Sequence, residues 1–340
     1  MSDLCNVCVT GGASYIGSSL VKTLLDKGYG VHATLRKLDN EEQVGVLKSF
    51  PGAETRLKLF AADLFEPEKF EQAIEGCQFV FHVVHPMAYS GPHQIKKSRF
   101  DAAIDAARTI ADACMKSGTV KKLIYSASVV AASPMKSDGS GYQDFIDESC
   151  WTPLDLSVPC SNDYLQEYTD SKTLVEKELS RLGKDINGNG LDVVSLVCGL
   201  VGGETYLPHT PMSVLALLSF LTGNEGAYNS MKYLEELLGK VPVVHIDDVC
   251  EAHVFCIEQQ VMPGRVLCAS DYVSVAEMAE YYQQKYPESH INPEYLKGPK
   301  REIKWGSTKL MDKGFQYRYD WKEILDGSVS CTRKIGDHQI

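Results

Sequence analysis

A chain of 340 residues, 44% apolar and 23% charged, can bury a large core and build one α/β domain with a smaller lobe, or two domains. Its formal net charge of −11 argues against a general nucleic-acid or anionic-membrane surface. Eleven scattered cysteines, an odd number without a framework, read as reduced thiols in a cytoplasmic protein, no leader is visible at Met1-Ser2-Asp3-Leu4, and no apolar run approaches the roughly eighteen residues of a membrane span.

The first predicted strand, Cys5 to Val9, breaks into Thr10-Gly11-Gly12-Ala13-Ser14-Tyr15-Ile16-Gly17, and an amphipathic helix is expected from Tyr15 to Lys27. Strand, glycine turn and helix N-terminus together suit a dinucleotide pyrophosphate. Gly11 lets the chain turn, small residues let the backbone approach, and first-turn N–H groups face the negative charge. Thr10, Gly11, Ala13, Ser14, Tyr15, Ile16 and Gly17 are therefore expected at the cofactor. Ser14 stands where this glycine spacing has a middle glycine, and its hydroxyl could add a contact to phosphate.

A second strand, Gly30 to Leu35, ends in Arg36-Lys37. An acid at this position, about twenty residues past the turn, would bind the ribose hydroxyls of NAD; a basic pair suits the 2′-phosphate of NADP. Leu57 to Ala62 is the third strand, and Asp63-Leu64 follows it at the cofactor edge, with Asp63 open to an adenine-accepting role or to capping the next turn. A helix starts at Pro67, the fourth strand is Gln78 to Val83, a long helix fits Arg99 to Ser117, and the fifth strand is Lys122 to Ser126. This alternation predicts an α/β fold, a doubly wound parallel sheet. After a sixth strand, Asp192 to Val197, helical patterns (Val214–Thr222, Met231–Leu238, Val249–Gln260, Val275–Tyr286) alternate with short strands near Val241–His245 and Arg265–Cys268. The expected division is 1–200 for the dinucleotide-binding domain, with the 241–250 region returning to it, 201–330 for a C-terminal substrate lobe, and 331–340 as a tail. Val83 and Val84 at the end of the fourth strand, and Cys198, Leu200 and Val201 after the sixth, complete the expected cofactor wall.

Tyr168-Thr169-Asp170-Ser171-Lys172 is the sharpest chemical feature. Residues four apart share a helix face, so phenol and ammonium can both meet a bound cofactor. A neighbouring ammonium and an oxidised nicotinamide would lower the phenol from its ordinary value near 10 toward neutrality. The same spacing recurs at Tyr228/Lys232 and Tyr281/Lys285, so topology has to separate them. Tyr168 opens the helix between the fifth and sixth strands, and Ser128, just past the fifth strand, can bind the substrate carbonyl oxygen beside it; Ser126 competes for that role, and strand-end capping is open to both. The long loops Pro86–Lys97, Ser133–Pro159 and Gly203–Pro211 supply the expected substrate contacts: His85, Met87, Tyr89, Val129, Tyr164, Tyr206 and Met212. His245-Ile246-Asp247-Asp248 tempts a metal reading, but its spacing also fits a strand ended by Asp247 capping a helix, and no metal is expected.

Val9-Thr10-Gly11-Gly12, Val31 to Arg36, Phe60 to Leu64, Tyr168 to Lys172, His245 to His253 and Lys313 to Tyr319 together resemble the plant extended short-chain dehydrogenases/reductases typified by dihydroflavonol reductase. Leu221 to Glu225 with Met231-Lys232 is similar to anthocyanidin reductase, and Tyr142 to Leu154 looks more like the HC-toxin reductases. The resemblance implies an NADP-type Rossmann fold and NADPH-dependent carbonyl reduction, with Ser128, Tyr168 and Lys172 as the catalytic set. The chain departs from the family at Ser14, at Val84-His85-Pro86, where His85 is open to substrate binding, proton donation or simple packing, and at Cys198-Gly199, where proline is usual. The expected function is an NADPH-dependent reductase of a small hydrophobic carbonyl compound, with Tyr168 as proton donor and no nucleic-acid or membrane partner. Alcohol oxidation with NADP, double-bond reduction and an idle NADPH-binding regulator are the alternatives; oligomeric state is not legible.

Overall fold

The computed structural model describes residues 4–86, 99–154, 158–183, 190–262, 264–299, 301–338 and 340. In chain order its strands are β1 (Asn6–Thr10), β2 (Gly30–Leu35), β3 (Leu57–Ala61), β4 (Phe79–His82), β5 (Lys122–Ser128), β6 (Phe145–Ile146), β7 (Val193–Cys198), β8 (Leu200–Gly202), β9 (Val241–His245), β10 (Arg265–Cys268), β11 (Asp271–Val273) and β12 (Lys304–Trp305). Seven of them form one sheet in the order β10-β7-β5-β4-β1-β2-β3. The pairs β1–β2, β1–β4, β2–β3 and β4–β5 are parallel. All seven correspond to predicted strands. The inner strands β1 and β4 carry the fully buried apolar runs Val7-Cys8-Val9 and Val80-Phe81, whereas β3, at the sheet edge, contains Lys58 and is only partly buried.

By contacts the chain divides into two compact units, residues 1–127 with 174–196 and 250–265, and residues 128–173 with 197–249 and 266–340. In the first, the helix Tyr15–Asp26 buries Leu20, Val21, Leu24 and Leu25 completely, the stripe that its periodicity predicts. At roughly 1.5–3 kcal/mol for each buried aliphatic side chain, this stripe holds the helix in place. The buried Lys122 ammonium donates to the carbonyls of Cys256 (3.0 Å) and Gln259 (2.7 Å), satisfying the C-terminal end of the helix Ile246–Glu258.

In the second unit, β8, β9 and β11 form a separate sheet, with β9 central, parallel to β8 and antiparallel to β11. β9 therefore lies outside the seven-stranded sheet, in the stretch 241–250 that was expected to return to the dinucleotide-binding domain. The chain leaves that sheet at Gly199, where a Cβ would lie 2.8 Å from the carbonyl oxygen of Pro242, so only glycine lets β8 run against β9. A second difference lies at the C-terminus. Residues 331–335 are not tail but the end of the helix Trp321–Ile335, which buries Ile324, Leu325, Ser328, Val329, Cys331 and Thr332. Its start was legible: Asp320 and Glu323 form a capping box, each side chain taking the other's backbone N–H.

Candidate active site

In the first unit the chain turns from β1 into its helix through Gly11, at φ +70°. A Cβ on Gly11 would lie 2.8 Å from Val84 Cβ, and one on Gly17 would lie 2.1 Å from the Gly11 carbonyl oxygen. Both glycines are therefore required by close backbone packing. Thr34 holds the turn from β2, accepting from Gly11 N on its hydroxyl (3.0 Å) and from Gly12 N on its carbonyl (2.8 Å). The buried Thr10 hydroxyl accepts from Val83 N (3.0 Å) and Val84 N (3.2 Å) and lies 3.1 Å from His82 Nδ1, so the ends of β1 and β4 are fastened together. A tight glycine turn whose backbone has no room for side chains, opening a helix, fits a dinucleotide pyrophosphate.

Ser14 is bonded within the turn. Its hydroxyl donates to the Gly11 carbonyl (2.8 Å) and accepts from Gly17 N (3.1 Å), making it the helix N-cap. The serine thus replaces the missing glycine by bonding within the turn. Arg36 and Lys37 are exposed at the end of β2, and Arg36 Nε lies 3.2 Å from Asp63 Oδ2. Asp63 Oδ1 accepts from Phe65 N at 3.0 Å, so this carboxylate both caps its turn and holds the guanidinium. Leu64 and Val83 are buried, whereas Ala13, Tyr15, Ile16, Val84 and His85 are partly exposed.

In the second unit, Ser128 at the end of β5 meets Tyr168 on the helix Asp163–Leu182, which also carries Lys172. Tyr168 and Ser128 share a side-chain hydrogen bond, and Lys172 stands one turn after Tyr168, only 5% exposed. Thr169 Oγ1 lies 2.8 Å from the buried Tyr233 hydroxyl, tying this turn to the helix Glu225–Leu238. Burial pushes the Tyr168 phenol up to about 12, with Tyr164 and Cys198 acting in the same direction and the Ser128 bond opposing them. The lowering toward neutrality expected from the sequence is therefore not supplied by the chain. The positive nicotinamide invoked for it belongs to the cofactor, and desolvation outweighs what the protein contributes.

Ser126 is the buried partner of His253 (Oγ to Nε2, 2.6 Å), so the two candidate serines have different neighbours. The two repeats of the motif differ as well. Lys232 pairs with the buried Glu235 at 2.8 Å, and Lys285 pairs with Asp326 and Tyr281. Among the expected substrate contacts, Tyr164 lies near-parallel to Tyr168, with ring centroids 6.4 Å apart. Tyr206 and Met212 are 43% and 63% exposed, Val129 is buried, and Met87 and Tyr89 lie outside the described residues. Leu200 is partly exposed and Val201 buried in β8, and Cys198 is buried at the end of β7.

Asp247 does not cap the helix that begins at Ile246. His245 Nδ1 takes the Asp247 N–H (3.2 Å), and the buried Asp248 carboxylate accepts from Arg318 N (3.1 Å) and Tyr319 N (3.4 Å). With the helix starting two residues earlier than the cap would require, Asp247 falls in its first turn. Among the described residues no group of three or more His, Cys, Asp or Glu side chains is arranged to hold a metal ion, and no helix is long and apolar enough to cross a membrane.

Residues 7–269 match the NAD dependent epimerase/dehydratase family. Dihydroflavonol 4-reductase of Callistephus chinensis is 35% identical over 332 residues, 96% of this chain and 86% of that protein. The (2S)-flavan-3-ol-forming anthocyanidin reductase of Vitis vinifera is 33% identical over 330 residues, 97% of this chain and 95% of that one. The crystal structure of vestitone reductase from alfalfa (Medicago sativa L.) superposes with a TM-score of 0.78 at 33% identity, covering 97% of this chain and 99% of that one.

Proposed function

The chain belongs to the NAD dependent epimerase/dehydratase family, and from that membership we propose that it is a cytosolic NADPH-dependent reductase of a carbonyl group on a small, hydrophobic, plant-type specialised metabolite. The observation that carries the reading is the Ser128–Tyr168 hydrogen bond on a helix that also presents Lys172. Bound NADPH supplies the hydride. Ser128 donates to the carbonyl oxygen and orients it. Tyr168, protonated at neutral pH, transfers its proton to that oxygen as negative charge builds on it. Lys172 places a positive charge beside the phenol and holds ribose hydroxyls. Thr10, Gly11, Ala13, Ser14, Tyr15, Ile16 and Gly17 form the pyrophosphate turn, and Val83, Val84, Cys198, Leu200 and Val201 line the cofactor. His85, Met87, Tyr89, Val129, Tyr164, Tyr206 and Met212 select the substrate. In this reading residues 1–200 serve the cofactor and 201–330 the substrate.

Arg36 and Lys37 choose NADPH over NADH, with Asp63 holding the Arg36 guanidinium in place for the 2′-phosphate. The test is NADPH and NADH consumption against ketones, aldehydes, flavonoids and 9,10-phenanthrenequinone. Arg36→Ala lowers kcat/KM for NADPH by about 10–100-fold, the loss of one charge-assisted bond, and leaves NADH within about twofold. Equal losses with both coenzymes refute this role for Arg36. Products reduced at a carbon–carbon double bond would replace carbonyl reduction with the reaction class that the anthocyanidin reductase relative suggests.

A further inference from the structure

Residues 203–211 run from β8 to the helix Met212–Leu217. They carry Tyr206 and end beside Met212, and the role proposed for the segment rests on the reading that these two residues meet substrate. The segment is fastened at each end by the last helix and the residues just past it. At its start, Gly203 N donates to Ser328 Oγ at 2.9 Å, and the Glu204 carboxylate lies 3.3 Å from His245 Nε2. At its far end, the Thr210 backbone N–H donates to Asp337 Oδ2 at 2.7 Å and the Thr210 hydroxyl donates to Asp337 Oδ1 at 2.6 Å. Both donors of one residue are held by both oxygens of one carboxylate. The buried Thr332 hydroxyl lies 3.3 Å from that of Thr210. Gly336, at φ +75°, ends the helix Trp321–Ile335 in the left-handed conformation that turns the chain at this point.

We propose that Asp337 is a positioning residue. Acting through Thr210, it latches the far end of the 203–211 segment and so fixes the wall that meets the carbonyl substrate. The chain's last residues are then part of substrate selection, although none of them touches the reacting atoms. Burial pushes the Asp337 carboxyl up, but the two bonds from Thr210 together hold it below the ordinary value, so the latch is ionised and closed at neutral pH. A bidentate charge-assisted clamp is among the stronger polar contacts available to an exposed segment.

The test combines amide hydrogen exchange over 203–211 with steady-state kinetics on 9,10-phenanthrenequinone, for wild type, Asp337→Ala, Asp337→Asn, Thr210→Val and Thr210→Ser. In Asp337→Ala and Thr210→Val, exchange at Thr210 and its neighbours rises about 10–100-fold. KM for the quinone rises about 3–10-fold, while kcat stays within about twofold and NADPH affinity is unchanged. Thr210→Ser, which keeps both donors, behaves as wild type, and Asp337→Asn, which keeps one acceptor oxygen, falls between. Unchanged exchange in Asp337→Ala overturns the latch. Raised exchange with an unchanged KM overturns its role in substrate selection, and so do kcat and NADPH affinity falling together with KM. A wild type that leaves the quinone unreduced counts against the reductase reading, and the exchange measurement still decides the latch.

Discussion

Tyr168→Phe lowers kcat for carbonyl reduction by about 10²–10⁴-fold, the range that a positioned general acid contributes, and leaves NADPH affinity within about twofold. The substitution removes one oxygen and keeps the ring that stands beside Tyr164. What is lost is the proton that Ser128 holds in line and the charge relief it gives the carbonyl oxygen in the transition state. Because burial holds the phenol up to about 12, its protonated form persists between about pH 6 and 9, and the reductive rate does not fall across that window for want of this acid. Ser128→Ala, which leaves Tyr168 in place but removes its partner, costs less. Stopped-flow single turnovers with NADPH and the best panel substrate isolate the step. Tyr168→Phe turning over within about tenfold of wild type would move the proton donor elsewhere, with His85 the first residue to examine.

Glu176→Ala destabilises the protein by about 3–5 kcal/mol, the cost of stranding one partner of a buried ion pair. Glu176 is fully buried, and its carboxylate meets Arg265 through Nε at 2.7 Å and Nη2 at 3.3 Å, a two-point contact inside the first unit. This pair joins the helix Asp163–Leu182 to the start of β10. Removing the acid leaves a guanidinium in a place with little water, whereas replacing both partners, Glu176→Leu with Arg265→Met, costs much less because no charge is left behind. Urea unfolding of the three proteins reads the difference. A single substitution as mild as the double one would show that solvent or another acid takes over the guanidinium.

Much of the scaffold was legible because its signals are local. The alternation of mainly apolar stretches with amphipathic ones marked all seven strands of the parallel sheet, and glycine spacing marked the turn at Gly11 and Gly17, where the structure leaves no space for a Cβ. The helical spacing of Tyr168 and Lys172 put them one turn apart on the helix Asp163–Leu182. The motifs that resembled plant reductases found such proteins along nearly the whole chain. The helix Trp321–Ile335 was not expected from the sequence, although its capping box and apolar spacing are signals just as local.

Residue chemistry and periodicity by themselves determined the α/β alternation, the dinucleotide turn and the Tyr–Lys pair, since each depends on neighbours a few positions away. Tertiary structure alone decided the partners. It gave Ser126 to His253 and Thr210 to Asp337, each pair 127 residues apart in the chain. It turned the Ser14 hydroxyl into its own turn, joined Arg36 to Asp63, and sent β9 to a second sheet. It also raised the Tyr168 phenol where the motif alone suggested lowering. Contacts between distant segments leave no period in the sequence, and desolvation depends on everything packed around a group, so neither could be read before the chain was folded.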